Sequence, residues 1–456
     1  MNVVFVAIDA LRADHLGVYG YERPTSPFID ALAAGGVVFD NHFTPAAPTQ
    51  PAFTTIFSGT HPLTHGVVCH DGNQPLNPRV EWLPSVLRQQ HCTTVAVDTL
   101  CDHRPYFARG FEYYVNPRIK GEFPSCQPFN VRAIEWLEHC RREPFFLFIH
   151  YWNTHTPYLP APKVARLFYD GDPTTTNMGS LDDFYQCPTV DRWPEDWFGR
   201  LRATWPNCAG GRIEDRRFIE AQYDAEVRSA DDGVKTLCAV LESKGLLDDT
   251  LLVVFADHGE HLGEHGIWFD HHGLYDPNVR TPLILHWPKD LKGGRRVSVM
   301  TQHQDLFATV LDAIGAQVPE VVEGRSLLPL AKGFAAPPDW DQTLMTCECT
   351  WQKKWAMRTA DNKLIVSREP DWHGHPAVEL YDLKSDPGEQ VSLAESHAGL
   401  ARQLKAQFEA KLQTMLDQRS LSDDPIAAND VTLGRAMWHR LGKPYPPPRE
   451  GVWARS

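Results

Sequence analysis

Two apolar runs, each ending on side chains of the metal-ligand type, constrain this chain more than any other feature. The first is Val3-Val4-Phe5-Val6-Ala7-Ile8, closed by Asp9. The second is Leu251-Leu252-Val253-Val254-Phe255-Ala256, closed by Asp257 and His258. Runs without polar alternation suit strands of a parallel sheet covered on both faces. In an open α/β sheet the crevice at the carboxyl ends of the strands is where sites form. Both acids are therefore expected at one edge of one sheet.

The intervening sequence alternates in the same style. Thr25 to Ala34, residues 51–58 behind Pro51, Leu83 to Gln90, Asn130 to Arg141, Ile219 to Ser243 and Gln304 to Ala316 read as helices. Residues 93–97, Pro144 to His150 and Thr281 to His286 read as strands. This alternation predicts an α/β fold: a large doubly wound, mostly parallel sheet with helices on both faces, over residues 1–340. From about residue 343 the pattern shifts to short strands at 355–358, 363–366 and 379–383, then a helix over 398–418. That predicts a small α+β C-terminal subdomain over residues 341–420. Residues 159–217 break the periodicity and read as an insertion, either a lid or a surface excursion. Residues 421–456, with Pro444-Tyr445-Pro446-Pro447-Pro448, read as an extended tail and a candidate clasp for a homo-oligomer.

Charge narrows the partners. The 456 residues carry a net charge of −14, which disfavours nucleic acid and an anionic membrane surface. A small anionic substrate then needs a local positive source, and a bound cation is the direct candidate. No segment approaches 18 consecutive apolar residues, so no membrane span is expected. Ten Cys without a CxxC pair and an opening without an export-type segment read as reduced thiols and a cytoplasmic location.

Four features carry chemistry. Asp9 ends the first strand. Asp257-His258-Gly259-Glu260 follows a buried strand, with Gly259 permitting a tight turn. Such oxygen and nitrogen donors suit Mn²⁺ or Zn²⁺, and a carboxylate-dominated set also suits Ca²⁺ or Mg²⁺. Thr49 stands just before the helix expected at Pro51, where free amides and the helix dipole favour an anion. Read alone, Thr49 is equally a helix cap. Several histidines stand near these segments: His155 past the 144–150 strand, His261 and His265, and the pair His271-His272.

In combination these segments resemble the sulfatase branch of the alkaline phosphatase superfamily. The carriers are Asp9-x-Leu11-Arg12-Ala13-Asp14-His15-Leu16-Gly17-x-Tyr19-Gly20, the Pro51–Gly59 segment, Asp257-His258-Gly259-Glu260-x-Leu262-Gly263-Glu264-His265-Gly266, and Leu380-Tyr381-Asp382-Leu383-x-x-Asp386-Pro387-Gly388-Glu389-Gln390. Within that branch the chain looks most like phosphonate monoester hydrolases and phosphodiesterases, which also carry one acid at the first strand. The resemblance implies that Asp9, Asp257, His258 and the nucleophile Thr49 hold one divalent ion (Mn²⁺, Ca²⁺, Zn²⁺ or Mg²⁺). It implies that His155 and His271 act on the reacting ester, the latter where the family has a Lys. Thr99 and His272 are the expected substrate contacts.

The chain departs from ordinary sulfatases at informative places. Thr49 stands where they carry a Cys or Ser matured to formylglycine, and Phe53 where they carry Arg. Asp98-Thr99-Leu100-Cys101 replaces their Lys-Trp-His segment. A threonine cannot mature to the aldehyde. The expectation is hydrolysis of phosphate diesters or phosphonate monoesters through a phospho-threonine. Sulfuric ester hydrolysis and a degenerate anion-binding relative are the alternatives. A second metal through His155, His271 or His272 stays open.

Overall fold

The computed structural model describes residues 1–72, 74–117, 125–175, 181, 184, 213–371, 373–429 and 442. The two apolar runs form the centre of an eight-stranded sheet. Its order is Arg295–Val297, Val37–Phe39, Leu283–His286, Thr250–Phe255, Asn2–Ile8, Phe145–Tyr151, Thr93–Val97 and Tyr113–Val115. Asn2–Ile8 pairs in parallel with Phe145–Tyr151 on one side and Thr250–Phe255 on the other. All three strands are buried along their full length, as continuous apolar runs require. Phe5 ties them together, its ring 5.2 Å from that of Phe146 and 5.4 Å from that of Phe255.

The 281–286 segment joins the sheet as Leu283–His286, but antiparallel to Thr250–Phe255. The connection from Phe255 carries small strands and the four-residue helix Asp276–Val279 along the edge where that strand ends, and Leu283–His286 starts back from the same edge.

Helices cover both faces in two groups. Pro27–Ala34, Cys126–His139 and Arg216–Ser243 pack together, as do Thr49–Ser58, Leu83–Gln89 and Asp305–Ala313. In the first group Asp231 caps a neighbour: its carboxylate accepts the backbone N–H of Phe28 (3.1 Å) and Ile29 (2.7 Å). Those amides lie at a helix start and have no intrahelical acceptor. No helix among the described residues is long and apolar enough to cross a membrane.

A second sheet has five strands, in the order Val378–Asp382, Asn362–Ser367, Lys354–Arg358, Leu344–Glu348 and Ala46–Ala47. The first four come from the C-terminal region and carry the helix Ala398–Gln418. The fifth does not: Ala46–Ala47 pairs in parallel with Cys347 and Glu348. The segment that delivers Thr49 is thus an edge strand of the C-terminal sheet. A buried ionic cluster also joins the two units. Lys363 Nζ lies 2.7 Å from Asp276 Oδ1 and 2.6 Å from Glu389 Oε1, and Arg358 reaches the same Asp276 oxygen at 2.7 Å.

Most of the expected 159–217 insertion lies outside the described residues, as does the Pro444–Pro448 stretch. Leu181 and Phe184 are described and buried. Phe184 packs its ring 5.4 Å from Phe269 and 5.8 Å from Trp268, just before His271. The start of the expected tail folds onto its own chain. Asp424 accepts from Trp355 Nε1 at 3.1 Å and from Arg368 Nε at 2.9 Å.

Candidate active site

The two strand ends meet as their sequences require. Asp9, Asp257 and His258 are fully buried, and one donor atom from each falls within 4.8 Å of the others. His258 Nε2 lies 3.3 Å from Asp257 Oδ2 and 3.9 Å from Asp9 Oδ1. Neither of those carboxylate oxygens has a hydrogen-bond partner among the described residues. Buried unpartnered carboxylate oxygens are costly unless a cation sits between them.

The imidazole is set for that role. His258 Nδ1 donates to the Gly259 carbonyl at 2.8 Å, which leaves Nε2 as the lone-pair nitrogen facing the acids. Burial lowers the His258 pKa to about 4, so the ring is neutral near pH 7. The two acids respond oppositely. Burial and the Asp9 charge push the Asp257 carboxyl up. Burial acts the same way on Asp9, but the hydrogen bond to His150 and nearby imidazoles outweigh it and hold Asp9 below the usual carboxylate range. Two buried carboxylates forced together suit a divalent ion.

The strand ends are held by backbone features. Ala10 has a positive φ of 55°, costly for a residue with a Cβ. Its N–H donates to Asp257 Oδ1 (3.2 Å) and its carbonyl accepts from Tyr223 Oη (2.8 Å). Gly259 serves close approach, not the tight turn expected. A Cβ there would stand 1.9 Å from the Pro277 carbonyl oxygen. His303 Nε2 supports the Asp257 carbonyl at 2.7 Å, and its Nδ1 pairs with His42 at 2.9 Å.

Thr49 arrives on a different element. The helix starts at Thr49, not at Pro51, and all ten residues of Thr49–Ser58 are buried. Thr49 is therefore its first residue, with side chain and free amides at the positive end of the helix dipole. Its Oγ1 lies 3.1 Å from His258 Nε2. Phe53, where the resemblance placed an Arg, is core. Its ring packs 5.7 Å from Phe148 and 4.7 Å from His150.

The histidines divide sharply. His271 faces the cluster, its ring centroid 4.8 Å from His258 and 4.9 Å from His155. His271 Nδ1 lies 3.6 Å from the buried carboxylate of Glu260. Burial opposes the imidazolium, but Glu260 overcomes it and raises His271 to about 10. Burial instead lowers His155 to about 4. The site thus pairs a cationic imidazole with a neutral one. His272 turns toward the C-terminal unit, with Nε2 2.8 Å from His373 Nε2 and Nδ1 3.4 Å from Asp270. Thr99 precedes a short helical turn, and its carbonyl accepts the Asp102 N–H at 3.0 Å.

Two contributors escaped the sequence reading. His150 Nε2 lies 3.2 Å from Asp9 Oδ2 and Nδ1 lies 3.0 Å from Asp98 Oδ1. Asp98 in turn accepts from Tyr114 and from the Leu100 N–H. His150 closes an apolar strand, where the one polar residue of the run was the available signal.

Residues 1–316 match the sulfatase family. The chain belongs to that family. It is a sulfatase-family hydrolase, and enzymes of this family use a divalent metal ion. Residues 263–418 also match the family of the N-sulphoglucosamine sulphohydrolase C-terminal region. The chain is 24% identical to an N-acetylglucosamine-6-O-sulfatase of Bacteroides thetaiotaomicron, over 86% of this chain and 82% of that protein. It is 25% identical to a multifunctional alkaline phosphatase superfamily protein of Trinickia caryophylli, over 88% of this chain and 93% of that one. Its fold is shared with the phosphonate monoester hydrolase of Agrobacterium radiobacter: TM-score 0.71, 21% identity, 94% of this chain and 97% of that chain covered.

Proposed function

We propose that this sulfatase-family chain hydrolyses phosphonate monoesters or phosphate diesters with Thr49 as nucleophile. The observation that carries the reading is Thr49 itself, at the first position of a buried helix and 3.1 Å from His258 Nε2. A divalent ion held by Asp9, Asp257 and His258 would polarise the ester and lower the pKa of the Thr49 hydroxyl.

The chain's own groups account for the remaining steps. Thr49 Oγ attacks phosphorus in line and its proton leaves to solvent. The P–O bond to the leaving group breaks, giving a phospho-threonine ester. His271, held cationic by Glu260, stabilises the charge that develops on the phosphoryl oxygens. Imidazole protonation of the leaving alcohol adds on the order of 10²–10⁴ in rate. A second in-line attack by water then releases the product and restores Thr49. This route suits phosphorus, since the threonine ester needs only water to turn over and no aldehyde.

A sulfuric ester substrate is the second reading, favoured by the likeness to the Bacteroides sulfatase. Initial rates on an aryl phosphonate, an aryl phosphodiester and an aryl sulfate separate the two. Acid-quenched protein digested for mass spectrometry should carry a phosphoryl group on Thr49. Faster turnover of aryl sulfate, with no phosphoryl adduct, overturns the proposal.

A further inference from the structure

A second set of ligand-type side chains converges beside Thr49. His70, Asp71 and His103 each offer one donor atom, and the three atoms lie within 4.8 Å of one another. The set shares no residue with Asp9, Asp257 and His258. Its position is pinned to the nucleophile's neighbour, because the Asp71 N–H donates to Gln50 Oε1 at 2.8 Å. Gln50 in turn donates to Tyr106 Oη at 3.1 Å.

A wall of rings links the two sets. His70 and His103 have centroids 5.1 Å apart, and His103 lies 6.1 Å from Trp152. Trp152 lies 5.4 Å from His155, which leads through His271 to His258. The first centre is buried, whereas Asp71 is exposed and both His70 and His103 are partly exposed. The second set therefore stands at the solvent-exposed end of this row of rings.

The donor geometry suits an ion better than internal hydrogen bonds. Asp71 Oδ1 lies 3.4 Å from Arg104, which is itself held by the carbonyls of Gly72 and His103. Asp71 Oδ2 is directed to His70 Nε2 at 3.7 Å. That is too long for a hydrogen bond. It is near the ~3.4 Å that separates two donors bound at about 2.1 Å to one tetrahedral ion. His70 Nδ1, the other ring nitrogen, is buried and makes no hydrogen bond among the described residues. Two imidazoles and one carboxylate form a mixed nitrogen and oxygen set, which selects Zn²⁺ or a neighbouring transition metal over Ca²⁺ and Mg²⁺.

We propose that His70, Asp71 and His103 bind a second divalent transition-metal ion at the mouth of the active site. Three protein ligands leave one position open, which a remote anionic group of the ester substrate fills. In a chain of net charge −14 this ion adds positive charge where an anionic substrate enters. The site stands whichever ester the buried centre hydrolyses.

The test uses the full chain, stripped with chelator and titrated with Zn²⁺ alone by calorimetry, with bound metal counted by mass spectrometry. The wild type should take up two ions per chain. His70→Gln/His103→Gln should keep one, and Asp257→Asn should lose the other. Asp71→Asn, at an exposed position, serves if the double variant fails to fold, and should weaken the same ion at least tenfold. Co²⁺ loading should show visible absorption that weakens in the His70→Gln/His103→Gln protein while its fold is unchanged. Two undiminished ions in the His70→Gln/His103→Gln protein, or a single wild-type ion that this variant still binds, overturns the proposal.

Discussion

His150 stands between Asp9 and Asp98, 3.2 Å from one carboxylate and 3.0 Å from the other, at the buried end of a central strand. Burial opposes its charge, but the two acids raise its pKa to about 9, so the bridge is ionic near neutrality. Asp9 Oδ2 is thereby occupied, and Oδ1 is the oxygen turned toward His258. A group that orients a ligand typically changes metal affinity about 10–100-fold when removed. His150→Gln should weaken binding at the Asp9 centre by about that factor, measured by competition with a chromophoric chelator. An affinity equal to wild type would falsify the positioning role.

Thr49→Ala removes the attacking oxygen and should abolish turnover of aryl phosphonates while the protein stays folded. Thr49→Ser keeps the hydroxyl and should retain activity, since the helix start and its free amides are unchanged. Both variants need a thermal unfolding curve beside the kinetics. Wild-type rates in Thr49→Ala would remove Thr49 from the chemistry.

Glu260 and His271 predict the alkaline behaviour. The His271 pKa is raised to about 10, above the ~6.5 of an unperturbed imidazole. The pair's contribution to stability is therefore complete below about pH 6.5 and is lost as pH rises through about 10. Transition-state stabilisation by the imidazolium follows the same proton. Activity should hold through neutral pH and decline toward pH 10. Glu260→Gln removes the counter-charge, so the decline should begin nearer neutrality. A pH–rate profile of both proteins reads this directly, and coincident alkaline limbs would dissociate His271 from the rate.

Lys363 is the buried cation that binds Asp276 and Glu389 across the two units. Lys363→Met leaves two buried carboxylates with Arg358 as the remaining cation on Asp276. Removing one partner of a buried pair costs about 3–5 kcal/mol. The urea midpoint should fall accordingly. Because the C-terminal sheet includes Ala46–Ala47, activity should fall at lower urea than the loss of helix signal. An unchanged midpoint would show that the cluster adds nothing net.

Chelation should inactivate the enzyme, since Asp9 Oδ1 and Asp257 Oδ2 are buried together with no hydrogen-bond partner among the described residues. Add-back of Mn²⁺, Zn²⁺, Ca²⁺ and Mg²⁺ one at a time should restore it with the ion that fits two carboxylates and one imidazole. Full activity after exhaustive chelation would contradict the metal role.

Much of this architecture was legible from local pattern. Continuous apolar runs ending in Asp9 and in Asp257-His258 determined buried parallel strands and one shared edge, because a strand without polar alternation must be covered on both faces. The identity of Thr49 determined that no aldehyde can form there. Tertiary structure alone decided the rest, since those relationships join residues far apart in the chain. It turned His271 rather than His272 toward the cluster, by seating Glu260 beneath one ring and His373 beside the other. It placed His150 between two acids from other strands, and it made the approach to Thr49 a strand of the C-terminal sheet. Strand periodicity specifies which faces are buried. Which side chains meet across them depends on register and packing over the whole fold.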